Sequence, residues 1–338
     1  VSAWIKTTNS SGIVLAKRNN DVTGGAGYEM GLSNGKLSWY IKDAAGNVAY
    51  DTPEDTSLVN DGEWHHIAWV FDRNGLGYRY IDGVNSGTNV SLTGATGSLS
   101  NTGSLGIMAR IKVSADNFLG GKISQAGIWN KALTADEVSS LYNHGLPIDL
   151  TTDQAAYESS ANLVGYWRMG SGKLDSYPLI ADQTNATLGS ELVTNGDFSD
   201  GSTGWTLGGS WQVNNGEAST TGDGTNQNLK TTSTLSTVAG RTYEVSFLTS
   251  NSTIPNPQLR LYDNGITNPS NVYNDNDGVS FYVNGQHTYT FTATASSKQL
   301  ILRLNPTSGT ITLSNFSVKE VGGNPAIMTN QTSSDIEN

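Results

Sequence analysis

The sequence predicts an all-β protein built from two antiparallel β-sandwiches in series, with one short helix. Three observations lead to this fold class. The chain of 338 residues contains 39 glycines but 8 prolines, so it is rich in turn residues without the composition of a disordered chain. Short runs in which apolar and polar residues alternate recur along its length, separated by Gly, Asn and Asp. Only one stretch has both the spacing and the capping residues of a helix.

Strand-like alternation is clearest in the first part of the chain. The runs are SGIVLAKR, YEMGLSNGKLSWYIKD, WHHIAWVFD, GYRYIDGV, GSLGIMARI and GKISQAGIWN. In the second run, Asn34–Gly35 stands between two alternating halves and predicts a tight hairpin, because both residues adopt positive φ at low cost. The opening VSAWIKTT already alternates, so we expect the first strands of this domain to lie upstream of Val1.

The predicted helix lies in LTADEVSSLYNHG. Thr134 is the expected N-cap, and Glu137 completes a capping box with it. Gly145 is the expected C-cap. Val138 and Leu141 fall on one face, which we expect to lie against a sheet edge.

Two adjacent histidines, His65 and His66, lie inside the run WHHIAWVFD. Successive side chains of a strand point to opposite faces, so the two rings cannot act as a pair. Both faces of this strand are apolar, which favours structural histidines over catalytic or metal-binding ones.

The same residues resemble a known family. DGEWHHIAWVFD, YIDGV, LGIMAR and FLGGKISQAGIWNKALTADEVSSLYNHG follow the order of the laminin-G-like (concanavalin A-like) jelly-roll lectin domains. The resemblance covers residues 1–150 and implies a two-sheet jelly roll. Many members bind glycans or act in adhesion, often with a calcium ion at one rim.

The second half resembles a different β-sandwich. NLVGYWRMGSG and IADQTNATLG look like the opening of a second lectin-like repeat, so residues 151–189 are interpreted as a linker and a remnant of that repeat, with the hinge at 151–158. Residues 190–322, with NGDF, GW and NG, are similar to galactose-binding-like carbohydrate-binding modules. Residues 323–338 are interpreted as a tail. Its sequence continues the lectin-like repeat that is interrupted at Gly189, as expected if the residues between are an inserted module.

Charge and composition argue against several classes of function. The formal net charge is −11, which repels phosphate backbones and anionic lipid, so neither nucleic acid nor membrane is an expected partner. Cysteine is absent. Glutamates stand singly, without the paired carboxylates that a retaining glycosidase needs about 5 Å apart, so we expect no enzyme activity.

Calcium is the one cofactor that the resemblance implies, at loop carboxylates and amides. The candidate ligands are Asp72, Asn74, Asp116 and Asn117 in the first domain and Asn195 and Asp197 in the second. The alternative is that all of them are Asx-turn residues that cap loops. In the second domain Ser314 and Asn315 stand where relatives carry carboxylates, which weakens that site.

For sugar binding, the sequence offers exposed aromatic residues beside amides in one long polar stretch, LYDNGITNPSNVYNDNDGVSFYVNG. The candidate residues are Tyr262, Tyr273, Asn274, Asp275 and Tyr282. The alternative is an ordinary polar loop. Two sets of tryptophans are expected in the core: Trp205 and Trp211 of the second domain, and Trp4, Trp39, Trp69 and Trp129 on the strand patterns of the first.

The first functional hypothesis is a non-enzymatic fibre or surface protein of a virion. It would display glycan-binding domains, assemble as a homo-oligomer (a trimer by preference) and contact other virion proteins. The segments LVGYWRMG and IMTNQTSSDI resemble sequence segments found in phage and marine-virus fibre and tail proteins. The alternatives are a secreted, extracellular accessory protein of a polysaccharide-degrading enzyme, and an architectural surface protein that binds no sugar.

Overall fold

The structure is a computed structural model. It describes residues 1–18, 25–51, 57–111, 115–175, 179–222, 227–253, 258–262, 270–271, 284–293, 299–304 and 308–327. These residues form two compact units. The first holds the described residues of 1–175 and 182–184, and the second holds those of 179–181 and 185–327. Both units consist of antiparallel sheets, as the sequence predicts.

The first unit is a sandwich of a seven-stranded and a five-stranded sheet. The larger sheet has the order β14-β13-β1-β6-β7-β8, with β9 also on β7, and the smaller has the order β10-β2-β3-β4-β5; β11 pairs with β12. Its strands are β1 (Ser2–Lys6), β2 (Gly12–Arg18), β3 (Gly27–Ser33), β4 (Lys36–Lys42), β5 (Val48–Asp51), β6 (Trp64–Phe71), β7 (Leu76–Ile81), β8 (Val84–Asn85), β9 (Val90–Ser91), β10 (Leu105–Ile107), β11 (Arg110–Ile111), β12 (Ala115–Asp116), β13 (Lys122–Trp129) and β14 (Leu163–Trp167).

The core of this unit follows from the alternation in its strands. In β4, Leu37, Trp39 and Ile41 are buried while the residues between them are half-buried. Trp39 meets Phe71 of the opposite sheet edge to face, with 5.3 Å between ring centroids. The predicted Asn34–Gly35 hairpin is confirmed, with φ values of 53° and 78° at the two residues.

The predicted helix is confirmed as α1 (Ala135–Tyr142), and its Thr134 and Glu137 form both hydrogen bonds of the capping box. One expectation about it was wrong. The left-handed C-cap is Asn143 (φ 43°) rather than Gly145, because asparagine also adopts this conformation and comes first in the chain. The helix contacts the edge strand β8, as expected, and its Leu141 belongs to one buried cluster with Ala68 of β6.

Residues 151–175 pack with the first unit. Strand β14 pairs with β13, and Tyr157 is fully buried, where its hydroxyl accepts a hydrogen bond from Trp129 Nε1 (2.9 Å) and donates one to the carbonyl of Leu150 (2.9 Å). The segment interpreted as a hinge and repeat remnant therefore supplies an edge strand and a core tyrosine to the first sandwich.

The second unit contains a six-stranded sheet (β18-β19-β26-β21-β24, with β16 on β26) and a five-stranded sheet (β17-β20-β25-β22-β23). Its strands are β15 (Leu179–Ile180), β16 (Leu188–Glu191), β17 (Trp205–Leu207), β18 (Gln212–Asn214), β19 (Glu217–Thr221), β20 (Gln227–Thr231), β21 (Thr242–Ser250), β22 (Gln258–Tyr262), β23 (Ser270–Asn271), β24 (Gly285–Thr292), β25 (Gln299–Leu304), β26 (Thr310–Val321) and β27 (Ala326–Ile327).

Aromatic rings form the centre of this second core. Phe198, Trp205 and Phe316 pack with centroid distances of 5.0–6.3 Å, and Trp211 is also buried, as predicted for both tryptophans. Strand β27, which follows the last long strand, pairs with β15, which precedes the first. The chain thus enters and leaves this unit at one place, as an inserted module would.

Candidate functional site: a polar groove on the five-stranded sheet

The outer face of the five-stranded sheet carries a groove of about 440 Å³. Because side chains alternate along a strand, one set of β3 and β4 side chains points away from the core. Some of these side chains are small, so the floor of the groove lies close to the backbone. A Cβ on Gly31 would collide with the carbonyl oxygen of Gly12, so only glycine fits there. The groove is lined by Ile13, Glu29, Gly31, Ser33, Ser38, Trp39, Tyr40, Tyr50 and Asp51.

Two tyrosines lie side by side in the groove, on the paired strands β4 and β5. Tyr40 is directly opposite Tyr50 in the register. The Arg18 guanidinium lies over the Tyr40 ring, 4.3 Å from its centroid, and so covers one face of it. Tyr50 is 60% exposed. The Tyr50 ring is therefore the aromatic surface that the groove presents to a ligand.

Glu29 is a carboxylate held in place by two arginines. Its Oε1 accepts hydrogen bonds from Nη1 of Arg18 and Nη1 of Arg110, both at 3.3 Å. Arg110 is itself fixed by a bidentate contact with Asp116, at 2.8 and 2.9 Å, and this hydrogen bonding raises the pKa of the Arg110 guanidinium. The Glu29 side chain is only 12% exposed, so it is a preorganised hydrogen-bond acceptor at the groove wall.

Asp51 joins the groove to the core. It lies opposite Trp39, on the inner side of β5, and forms an ion pair of 2.9 Å with Nε of Arg79, which is 2% exposed. Arg79 also donates to the carbonyl oxygen of Thr88 at 3.0 Å. Because Arg79 belongs to the seven-stranded sheet, this pair ties the short strand β5, and with it Tyr50, to the opposite layer.

The sequence suggested a different set of residues for sugar binding. Tyr262 lies in β22, whose side chains are outside the described residues, and Tyr273, Asn274, Asp275 and Tyr282 also lie outside them. The platform at these residues remains a prediction.

The calcium candidates of the first unit have protein partners. Asp72 Oδ1 accepts a hydrogen bond from the amide of Asn74 (3.1 Å), as in an Asx-turn. Asp116 is bound to Arg110, and the Asn117 carbonyl accepts from the amide of Ile13 (2.9 Å).

The candidates of the second unit are arranged similarly. Asn195 Nδ2 donates to the carbonyls of Gly201 and Thr203, both at 2.9 Å, and Asp197 Oδ1 accepts from the amide of Ser199 at 3.3 Å. Within the part of the chain that the structure describes, no three His, Cys, Asp or Glu side chains converge as metal ligands. The contacts of Asp72 and Asp197 fit the Asx-turn alternative, whereas Asp116 forms an ion pair with Arg110. Calcium binding stays a prediction.

The two histidines point apart, as predicted. His65 lies between Asp82 (2.8 Å from Nδ1) and Asp61 (3.2 Å from Nε2) at the rim of the sandwich. His66 is buried beside Trp4 and Tyr142, at centroid distances of 5.3 and 6.5 Å. Neither ring lies in the groove.

Sequence reasoning missed the groove, although one signal was present. In YEMGLSNGKLSWYIKD the polar and small residues Glu29, Gly31 and Ser33 alternate with a buried set, and Ser38 and Tyr40 do the same after the turn. A hairpin with one polar face that carries a tyrosine and a carboxylate is a candidate ligand surface.

Comparisons with known proteins place the first unit in a fold family. Residues 1–139 match the family described as the Concanavalin A-like lectin/glucanases superfamily. No curated protein sequence matches the chain. No helix among the described residues has the length and apolar character that crossing a membrane requires.

Several solved structures are similar to at least part of this chain. The binding domain of Paraclostridial Mosquitocidal Protein 1 is 18% identical, over 43% of this chain and 36% of that one, with a TM-score of 0.33; the match thus spans about a third of that structure. The N-terminal cellulose-binding domain of Cellulomonas fimi β-1,4-glucanase C is 18% identical over 42% of this chain and all (100%) of that one, with a TM-score of 0.30.

Mouse laminin α1 domains LG4-5 are 14% identical over 98% of this chain and 78% of that one, with a TM-score of 0.31. Likeness at this level does not define a function. The match of residues 1–139 to this superfamily is consistent with the two-sheet antiparallel architecture of the first unit.

Proposed function

We propose that this protein binds a glycan without transforming it, and that the groove on the five-stranded sheet is a binding site. The observation that carries the proposal is an exposed Tyr50 ring and a fixed Glu29 carboxylate in one groove, on strands β5 and β3 with Tyr40 of β4 between them. The apolar face of a sugar ring would stack on Tyr50, and its hydroxyls would donate to Glu29. This combination of one aromatic surface and a few directional polar groups is typical of ligand sites.

The arrangement of the acids favours binding over hydrolysis. A retaining glycosidase places two carboxyl groups about 5 Å apart on either side of the scissile bond. Here Glu29 points outward from β3, whereas Asp51 points inward from β5 to Arg79, so the two carboxylates diverge. Each is committed to an arginine, which suits a fixed hydrogen-bond acceptor better than a proton donor.

The decisive experiment is a glycan array probed with the wild-type protein and with Tyr50→Ala. Removing the ring is expected to weaken binding about tenfold, since an aromatic contact contributes about 0.5–1.5 kcal/mol beyond area burial. Trp64→Ala is the matched control, because Trp64 is another exposed aromatic residue (41%) but lies on the other sheet. Equal binding by Tyr50→Ala and wild type would exclude this groove as the site.

The second unit is proposed to be a galactose-binding-like carbohydrate-binding module with its own site at Tyr273. The resemblance of residues 190–322 to such modules supports this. Tyr273→Ala would then weaken binding by the isolated second unit without changing its melting temperature. A calcium ion at the loop carboxylates would show as a fall in melting temperature on chelation.

At the level of biology, we propose a virion fibre or surface component that displays these domains in several copies. Weak sites gain avidity from copy number, and trimerisation would cover the exposed sheet edges of an all-β chain. The sequence upstream of Val1 in the full gene tests the idea: a particle-attachment segment supports it, whereas a secretory signal peptide would favour the extracellular accessory protein. Silence on every glycan would leave the architectural alternative.

A further inference from the structure

We propose that the groove selects neutral sugars and that Glu29 is the residue responsible for rejecting anionic ones. This inference rests on the proposed function of the groove, and it specifies the class of glycan. It follows from the distribution of charge around the Tyr50 ring.

The lining of the groove contains acids but no free cation. Among the described residues that line it, the charged side chains are the carboxylates Glu29 and Asp51. The three arginines of this network are each matched by an acid: Arg18 by Glu29, Arg110 by Glu29 and Asp116, and Arg79 by Asp51. The positive charges of the three arginines and the negative charges of the three carboxylates in this network therefore cancel.

A carboxylate or sulfate on the ligand would meet no compensating charge in this network. It would approach the Glu29 carboxylate, which accepts hydrogen bonds but cannot donate them while ionised. The formal net charge of −11 adds a repulsive long-range field. A neutral sugar avoids both the local and the long-range repulsion. Its hydroxyls donate hydrogen bonds to Glu29 and exchange hydrogen bonds with the hydroxyls of Ser33 and Ser38.

Glu29 also keeps the two arginines neutralised, so its removal should do more than delete a contact. In Glu29→Gln, Arg18 loses its carboxylate partner and Arg110 retains Asp116 alone. The network then carries one excess positive charge in the groove, where Arg18 lies over the Tyr40 ring. Planar guanidinium groups are well suited to carboxylate and sulfate ligands. The variant should therefore accept anionic sugars that the wild type rejects.

The test compares neutral oligosaccharides with matched oligosaccharides bearing uronate or sulfate groups. Wild type is expected to favour the neutral set by about tenfold or more, the scale of one unfavourable charge contact near a protein surface. Glu29→Gln should shift the anionic-to-neutral affinity ratio about tenfold towards the anionic set, and its anionic binding should weaken as salt rises. Glu63→Gln is the control that should leave the ratio unchanged, because Glu63 lies just before β6 of the other sheet and its side chain is 77% exposed.

Each result is decisive. Binding of anionic sugars by the wild type at equal or higher affinity would overturn the inference while leaving the proposed function intact. Absence of binding to either set would overturn both. If Glu29→Gln does not fold, Glu29→Asp provides the second variant: it keeps the charge but shortens the reach, and it should lose neutral affinity without gaining anionic affinity. A gain of anionic binding by Glu29→Asp would contradict the role assigned to the charge.

Discussion

The two sheets of the first unit differ in their outer faces: one is apolar and packs against a helix, and the other is polar and carries a groove. On the seven-stranded sheet the outer side chains Ala68 and Val70 are apolar, and helix α1 covers them with Val138 and Leu141. On the five-stranded sheet the outer face is polar and carries an open groove with the exposed ring of Tyr50. The difference teaches that an apolar outer face is closed by the chain itself, whereas a polar one can stay open for a ligand. Among the described residues of the first unit, the polar face of the five-stranded sheet is therefore the better candidate for ligand binding.

Removing the cover should have the largest effect on stability. Leu141→Ala deletes a fully buried side chain between α1 and the seven-stranded sheet, and it is expected to lower the free energy of unfolding by about 3 kcal/mol. Tyr50→Ala, on the open face, should cost at most about 1 kcal/mol, the scale of a cross-strand pair. Urea unfolding of both variants measures the contrast, and equal losses would show that the two faces do not differ as described.

Features set by residues close together in the chain were predicted from the sequence, whereas features that depend on contacts between distant residues were not. The Asn34–Gly35 hairpin and the Thr134–Glu137 capping box are set by neighbours in the chain, and both were predicted. The groove was not, because its parts meet only through pairing: Tyr50 comes opposite Tyr40 by strand register, and the arginines of the Glu29 wall come from β2 and β11.

The same reasoning applies to two further features of the first unit. The local pattern correctly assigned Val138 and Leu141 to the buried face of the helix, which contacts the edge strand β8 of the seven-stranded sheet. Strand β14 was interpreted as the start of another repeat because its local pattern is that of an opening strand. Only its long-range pairing with β13 shows that it completes the existing sheet.

Acid should test how dry the covered face is. Burial lowers the pKa of His66 to about 3, and its Nδ1 has no hydrogen-bond partner among the described residues. Because the folded-state pKa lies below the unfolded value, protonation favours unfolding, so stability is lost as pH falls below the ordinary histidine pKa of about 6.5. At pH 5 the loss should be about 2 kcal/mol.

The measurement is unfolding of wild type and His66→Phe between pH 8 and pH 5. Phenylalanine keeps an aromatic ring beside Trp4 and Tyr142 but cannot be protonated. The wild type should therefore lose more stability than the variant over this range. Parallel pH profiles would mean that water reaches His66 and that the face is less well covered than the structure indicates.

His65 sharpens the comparison with a smaller effect of opposite sign. Desolvation lowers the pKa of His65, but the hydrogen bonds and negative charges of Asp82 and Asp61 outweigh it, and the pKa is raised overall. A raised folded-state pKa gives stability that is fully present below the unfolded pKa and disappears as pH rises through the folded value. His65→Asn should therefore cost more at pH 5.5 than at pH 8, by less than about 1 kcal/mol, since one of the carboxylate partners is half exposed. Denaturant unfolding of this variant beside wild type at both pH values measures the difference. A larger cost at pH 8 than at pH 5.5 would show that the rim histidine is neutral in the folded protein and that its two carboxylates hold it by hydrogen bonding alone.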